Sequence, residues 1–190
     1  MRIILASKSP RRKELLARIV TEFEIITKET DETLPADVHP RDGVAILAVR
    51  KGNAVANELS SDALVISSDT LVELDGIPLG KPESEEDAFG ILSKLSGHTH
   101  NVHTGVAVHY MGRVISGVDS ASVTFRKLSP AEIREYIATG EPMDKAGAYA
   151  IQGIGNKFIE KYDGNFDTIM GLGTELTKSL IDEAIKGDND

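Results

Sequence analysis

The 190-residue chain reads as one α/β domain spanning residues 1–190, a mixed sheet flanked by helices. Three observations predict this. Short apolar runs of the buried-strand type, at residues 3–6 and 63–67, alternate with segments of helical period. A central stretch, residues 99–126, alternates polar and apolar over two strand lengths, as an antiparallel pair does. No internal repeat, low-complexity block or linker divides the chain.

The elements follow in order. Residues 3–6 form a buried strand, and Ser7-Lys8-Ser9 a loop. Ser9 is a good N-cap and Pro10 a good first helical residue, so a helix starts there and turns Leu15, Leu16 and Ile19 inward. Residues 23–26 are the next strand. Residues 28–42, polar and holding Pro35 and Pro40, form a long loop. A helix over 44–59 carries the stripe Val44, Leu47, Ala48, Val55 and Leu59, and Lys51 falls on that stripe. The strand at 63–67 ends at Ser68-Asp69-Thr70. Residues 71–79 make a hairpin on Asp75-Gly76. Ser84-Glu85-Glu86-Asp87 opens a helix with acids in its first turn, where the dipole favours them. The long strands of 99–126 turn at Met111-Gly112, and Ser129-Pro130 caps a helix through Ile137. Residues 140–156 are glycine-rich without a period. A hairpin turning at Asp163-Gly164-Asn165 and a helix from about Thr174 complete the chain. Its last nine residues, with four acids and one Lys, are expected to fray.

Composition narrows the function. The net charge of −9 disfavours long nucleic acids and anionic membranes as partners. The absence of cysteine removes disulfides, thiolate metal sites and a Cys nucleophile. The apolar start is too short for a signal-peptide core and no run can span a bilayer, so the expected location is the cytoplasm. The charge is uneven: residues 1–18 carry six basic groups and one acid, leaving −14 on the rest.

Four groups of residues could carry chemistry. Ser7-Lys8-Ser9-Pro10-Arg11-Arg12 lies between a strand and a helix N-terminus, a setting for anions that the two guanidiniums extend. Cations there oppose the helix dipole, a conflict that a bound polyanion would remove; the alternative is a solvated pair. Asp69-Thr70, at the carboxyl end of a buried strand, fits a general base or a Mg²⁺ ligand, or else a turn cap. Lys51 and Lys81 could reach a cleft, or merely snorkel to solvent. Residues 147–153, Gly-Ala-Tyr-Ala-Ile-Gln-Gly, permit close backbone approach, and Gln152 can offer a paired donor and acceptor to a base edge; a tight structural loop is the other reading. His98, His100 and His103 lack the spacing of a zinc motif, and no G-x-S-x-G elbow supports a Ser-His-Asp triad. The acids from Glu83 to Asp87 read as a solvated helix start.

Together these blocks resemble the Maf family of nucleoside triphosphate pyrophosphatases. Residues 5–12 followed by Leu15-Leu16 look like its opening motif. Residues 68–72, 80–82, 95–100, 141–149 and 151–153 are similar to further blocks in order. The resemblance implies a twisted mixed sheet, two lobes around a deep cleft, and a homodimer. It implies Mg²⁺-dependent hydrolysis of a nucleoside triphosphate to the monophosphate and pyrophosphate. Asp69 matches the proton acceptor. Arg11, Thr70 and Gln152 match positions linked to substrate choice. Ser7, Arg12, Glu32, Lys51 and Lys81 match polar cleft residues that bind phosphate or metal, with Glu32 and Asp69 the metal candidates. The late block resembles the subgroup acting on dTTP and UTP, and some members of the wider family take modified pyrimidine nucleotides. The chain departs from the pattern at Gly52, Ser68, Ala150 and Gly173, none of them a charged site residue. Two rivals stand beside this reading. One is a nucleotide-binding regulator of cell division without turnover, disfavoured by the intact Asp69. The other is a pyrophosphatase of non-standard purine triphosphates, of related fold, disfavoured by the Ser-x-Ser-Pro-Arg-Arg opening.

Overall fold

The computed structural model describes residues 1–187. One mixed sheet organises them, in the order β2-β1-β3-β5-β6-β7, with β4 paired to the far end of β3. The strands are β1 (Arg2–Leu5), β2 (Glu24–Ile25), β3 (Ala63–Leu74), β4 (Ile77–Leu79), β5 (Thr99–Tyr110), β6 (Arg113–Phe125) and β7 (Ile159–Asp163). β1 runs parallel to β2 and β3, and every other pairing is antiparallel. The helices are α1 (Pro10–Ala17), α2 (Pro40–Ala56), α3 (Glu85–Leu95), α4 (Pro130–Ala138), α5 (Phe166–Met170) and α6 (Thr174–Lys186).

The sheet separates two faces. Leu64, Ile66 and Val72 of β3 point into the main core with Leu15, Leu16, Leu92, Phe125, Tyr136 and Phe158. Val65, from the other face, packs with Val55 of α2. Helix α2 lies unusually close to the sheet. A Cβ on Gly105 of β5 would sit 2.4 Å from the Val44 carbonyl oxygen, and one on Gly52 of α2 would sit 2.1 Å from the His109 ring. Glycine at position 52 therefore has a local cause: His109 fills the space that an alanine methyl would take.

Several expectations are corrected. The strand at 63–67 continues to Leu74, because β5 pairs with it from Val65 to Glu73. Asp69 and Thr70 are thus mid-strand residues. The strand at 23–26 pairs over Glu24–Ile25 alone. Helix α2 begins at Pro40, capped by His39, and ends at Ala56, which leaves Leu59 outside it. Asp163-Gly164-Asn165 makes no hairpin: Asn165 caps α5 by accepting from the Asp167 N–H. Residues 140–156 contain short 3₁₀ turns at Glu141–Asp144 and Ala146–Ala148, and a third turn begins at Ile154. The expected fraying falls partly on helix, since α6 runs to Lys186, and partly on residues 188–190, which lie outside the described residues.

Candidate active site

A gap in the sheet creates the site. β1 pairs with β3 as far as Ile66, and the Ala6 N–H adds one last bond to the Ile66 carbonyl, 2.8 Å. β4 occupies the same edge of β3 only from Val72 onward. Between them the edge of β3 is uncovered, and a cavity of about 740 Å³ opens there. Strand alternation turns Asp69 toward α2 and Thr70 toward α1, so one strand serves two walls.

The cavity lining includes Ser7, Arg11, Arg12, Glu32, Lys51, Asp69, Thr70, Lys81 and Gln152, all nine residues singled out in the sequence. They come from the β1–α1 loop, the first turn of α1, the loop before α2, α2 itself, β3, the turn after β4 and the late glycine-rich segment. Seven Lys and Arg side chains and four carboxylates line the cavity in all. A net cationic pocket therefore sits inside an acidic chain, and that difference decides which anions it can accept.

Lys51 does not snorkel. Its Nζ donates to Glu32 Oε1 at 2.8 Å and to Asp69 Oδ1, with only 18% of the side chain exposed. One ammonium thus joins two carboxylates that would otherwise repel. The bond from Lys51 holds the Glu32 carboxyl below its ordinary range, and the fields of Lys81 and Arg12 add to this against partial desolvation. Asp69 itself is 8% exposed.

Arg12 is held from three directions. Its Nε donates to the Gly171 carbonyl at 2.8 Å, Nη2 to Thr70 Oγ1 at 3.2 Å, and Nη1 to Ser7 Oγ at 3.4 Å. Burial pushes the guanidinium pKa down, with Arg11 adding to this and Asp69 opposing it. Ser9 caps α1 by accepting from the Arg12 N–H, and the first turn of α1 holds no acid. That turn therefore brings the cations Arg11 and Arg12 to the cavity with no acid of its own to offset them.

Lys81 and Gln152 arrive through backbone pinning. The Gly147 N–H donates to the Gly80 carbonyl at 3.1 Å, which ties the turn bearing Lys81 to the late segment. Gly147 adopts φ +69°, and a Cβ there would meet Val72 at 2.9 Å, so this crossing needs glycine. Gln152 is exposed at the cavity wall beside Ala150, which is 6% exposed.

Sequence reasoning missed several supporting groups. Lys145 lines the cavity with 14% of its side chain exposed and pairs with Asp144. Glu141 accepts from the Ile154 and Gly155 N–H groups, each at 2.9 Å, and from the Tyr136 hydroxyl, and so braces the segment that carries Gln152. Gly171 supplies the carbonyl on Arg12. Gly171 acts on Arg12 across 159 residues, where no local pattern marks it. The histidines scatter. His98 bonds the Ser96 carbonyl, and burial against Phe125 and Tyr149 lowers the His100 pKa to about 4. His103, on the opposite face, bonds Glu73 and Ser120. Among the described residues no group of three His, Cys, Asp or Glu is placed to hold a metal ion. A divalent cation would find the two carboxylates of Glu32 and Asp69. That donor set suits Mg²⁺, which takes one or two carboxylates and completes its shell with substrate phosphates and water.

The family model described as Maf-like protein matches residues 2–184. A dTTP/UTP pyrophosphatase of Clostridium perfringens (strain SM101 / Type A) is 46% identical over 184 residues, covering 95% of this chain and 96% of that protein. A dTTP/UTP pyrophosphatase of Bacillus velezensis is 44% identical over 182 residues, 96% of each. Among solved structures, the Ham1 protein of Staphylococcus aureus superposes with a TM-score of 0.56 at 17% identity, covering 99% of this chain and 100% of that one, which shows a shared fold.

Proposed function

The chain belongs to the Maf family, and from that membership we propose that it hydrolyses nucleoside triphosphates, dTTP and UTP foremost, to the monophosphate and pyrophosphate. The observation that carries this reading is a buried carboxylate, Asp69, held by Lys51 at the sheet gap inside a cation-lined cavity. A triphosphate needs several cations and the reaction needs a base, and here both share one wall.

In this mechanism Arg11, Arg12, Lys81 and the N-terminus of α1 bind the triphosphate and offset its charge. Lys51 positions Asp69. Asp69 takes a proton from water as the water oxygen forms its bond to the α-phosphorus. The bond from that phosphorus to the α,β-bridging oxygen breaks, and pyrophosphate leaves with the electron pair. Mg²⁺ held by Glu32 and Asp69 would supply charge neutralisation at the phosphate oxygens. Gln152 presents an amide pair to the base edge, with Thr70 and Arg11 shaping the same choice, while Ala150 narrows the space beside Gln152. Modified pyrimidine nucleotides fall within the same substrate class. The family resemblance supports a homodimer, and no helix among the described residues is long and apolar enough to cross a membrane.

The test is product analysis with Asp69→Asn. Wild type releases pyrophosphate and the nucleoside monophosphate, and the variant keeps its fold while losing about 10²–10⁴-fold in kcat. Orthophosphate as the product would refute attack at the α-phosphorus. Binding of nucleotide without turnover by wild type would support the rival reading of a regulator.

A further inference from the structure

Behind the cavity wall, four groups form a hydrogen-bonded line. Arg12 Nη2 donates to Thr70 Oγ1 at 3.2 Å, Thr70 Oγ1 lies 2.9 Å from Thr104 Oγ1, and Thr104 Oγ1 donates to the Thr168 carbonyl at 2.8 Å. Thr104 sits on β5 directly opposite Thr70 and is fully buried. Its hydroxyl has one proton, and a carbonyl can only accept, so that proton is committed to Thr168. The proton between the two threonines is therefore the one on Thr70, and it points inward. Thr70 is left with lone pairs alone to offer Arg12 and the cavity.

We propose that Thr104 is a positioning residue for this site: it fixes the Thr70 hydroxyl as a pure acceptor and thereby fixes the Arg12 guanidinium. The far end of the line is anchored as well. The Thr168 hydroxyl donates to Asp119 on β6, which keeps α5 in place; α5 leads directly into Gly171, whose carbonyl accepts from both Arg12 Nε and Ser68 Oγ, at 2.8 and 2.9 Å. Ser68, a further departure from the family pattern, thus joins the same support. Arg12 is gripped at Nε by Gly171 and at Nη2 by Thr70, and both grips trace back to α5. Without Thr104, the Thr70 hydroxyl can rotate its proton toward Arg12 or the cavity, where it would meet a cation donor instead of presenting an acceptor to it.

This inference rests on the proposed activity for its kinetic consequence but not for its geometry, and the experiment separates the two. Thr104→Val removes the hydroxyl at nearly constant volume, and Thr104→Ser restores it. With dTTP, Thr104→Val is expected to lose about tenfold in kcat/KM, mostly through KM if Arg12 acts in binding, while Thr104→Ser stays within about threefold of wild type. Thr70→Val combined with Thr104→Val should cost no more than the larger single loss, because both break one line. In the ligand-free full chain, NMR should show faster solvent exchange of the Arg12 Nε–H in Thr104→Val than in wild type. Unchanged kinetics in a folded Thr104→Val, a Thr104→Ser as impaired as the valine variant, or additive losses would each overturn the proposal. Should wild type release no pyrophosphate from any triphosphate, the activity fails and the exchange measurement alone judges the line. Should Thr104→Val not fold, the Thr70 hydroxyl proton in wild type decides: its nuclear Overhauser contacts reach Thr104 if the proposal holds, and solvent if it does not.

Discussion

Glu141 gives the sharpest test of how the late segment is held. Its carboxylate accepts from the Ile154 N–H on one oxygen, and from the Gly155 N–H and the buried Tyr136 hydroxyl on the other. The backbone wraps so closely that a Cβ on Gly153 would lie 2.0 Å from Glu141 Oε1. Glu141→Gln keeps the shape but turns an amide N–H₂ against at least one donor. One charge-assisted bond, about 1.5–3 kcal/mol, is lost and the others fall to neutral strength. Discounted for partial exposure, the expected loss is about 2–4 kcal/mol by urea denaturation. Tyr136→Phe, which removes one donor and leaves the carboxylate two amides, should cost only about 1–2 kcal/mol. The pH dependence supplies an independent check. Burial alone would raise the Glu141 pKa, but the Tyr136 hydroxyl, the two amides and Lys145 outweigh it and hold the carboxyl below its ordinary 4.5. A depressed carboxyl contributes stability that is present above that pH and lost as pH falls through the lowered value. The gap between wild type and Glu141→Gln should therefore close as pH drops below about 4.5. A Glu141→Gln variant within about 0.5 kcal/mol of wild type at pH 7, or a gap that widens in acid, would refute the bracing role. Because Gln152 rides on this segment, the same variant should raise KM more than it lowers kcat.

Further outcomes are expected elsewhere. Lys51→Met leaves the Asp69 and Glu32 carboxylates facing each other without their shared cation and should lower kcat/KM at least about tenfold, read as pyrophosphate release. Gly52→Ala should destabilise by about 1–3 kcal/mol because of His109, and Gly52→Ala with His109→Ala should recover part of that in a double-mutant cycle. Burial depresses the His100 pKa from 6.5 to about 4, so between those values the unfolded chain binds more protons than the folded one. Stability should then rise with pH across that window, and a His100→Phe variant should flatten the rise.

Much of the site was readable in the sequence because its chemistry is local in kind, while Glu32 came only through the family resemblance. Arg11 and Arg12 at a helix start, Lys51 on an apolar stripe and a carboxylate at the end of a buried strand each break a pattern, and a broken pattern is visible without coordinates. The helices capped by Ser9, Ser84 and Ser129 were readable for the same reason: a cap acts within three residues. What ends a strand is not local. Nothing between Ser67 and Thr70 says that β5 will keep pairing to Glu73 and carry Asp69 into mid-strand. The Asp163-Gly164-Asn165 turn was misread because the same residues that make a hairpin also make a helix cap, and only the chain that follows decides between them.

The sequence by itself determined the alternation of strands and helices, the family, and a set of side chains that line one cavity, because each of these rests on residue type and short-range spacing. The tertiary structure alone decided that β1 stops at Leu5 while β3 runs on, which is what opens the cavity. It also decided that Lys51 turns inward to two carboxylates, and that Glu141, Thr104 and Gly171 hold the working residues in place. The physical reason is that a hydrogen bond or an ion pair needs its partners within about 3–4 Å in space, and chain separation carries no information about that distance once the sheet has brought remote strands side by side.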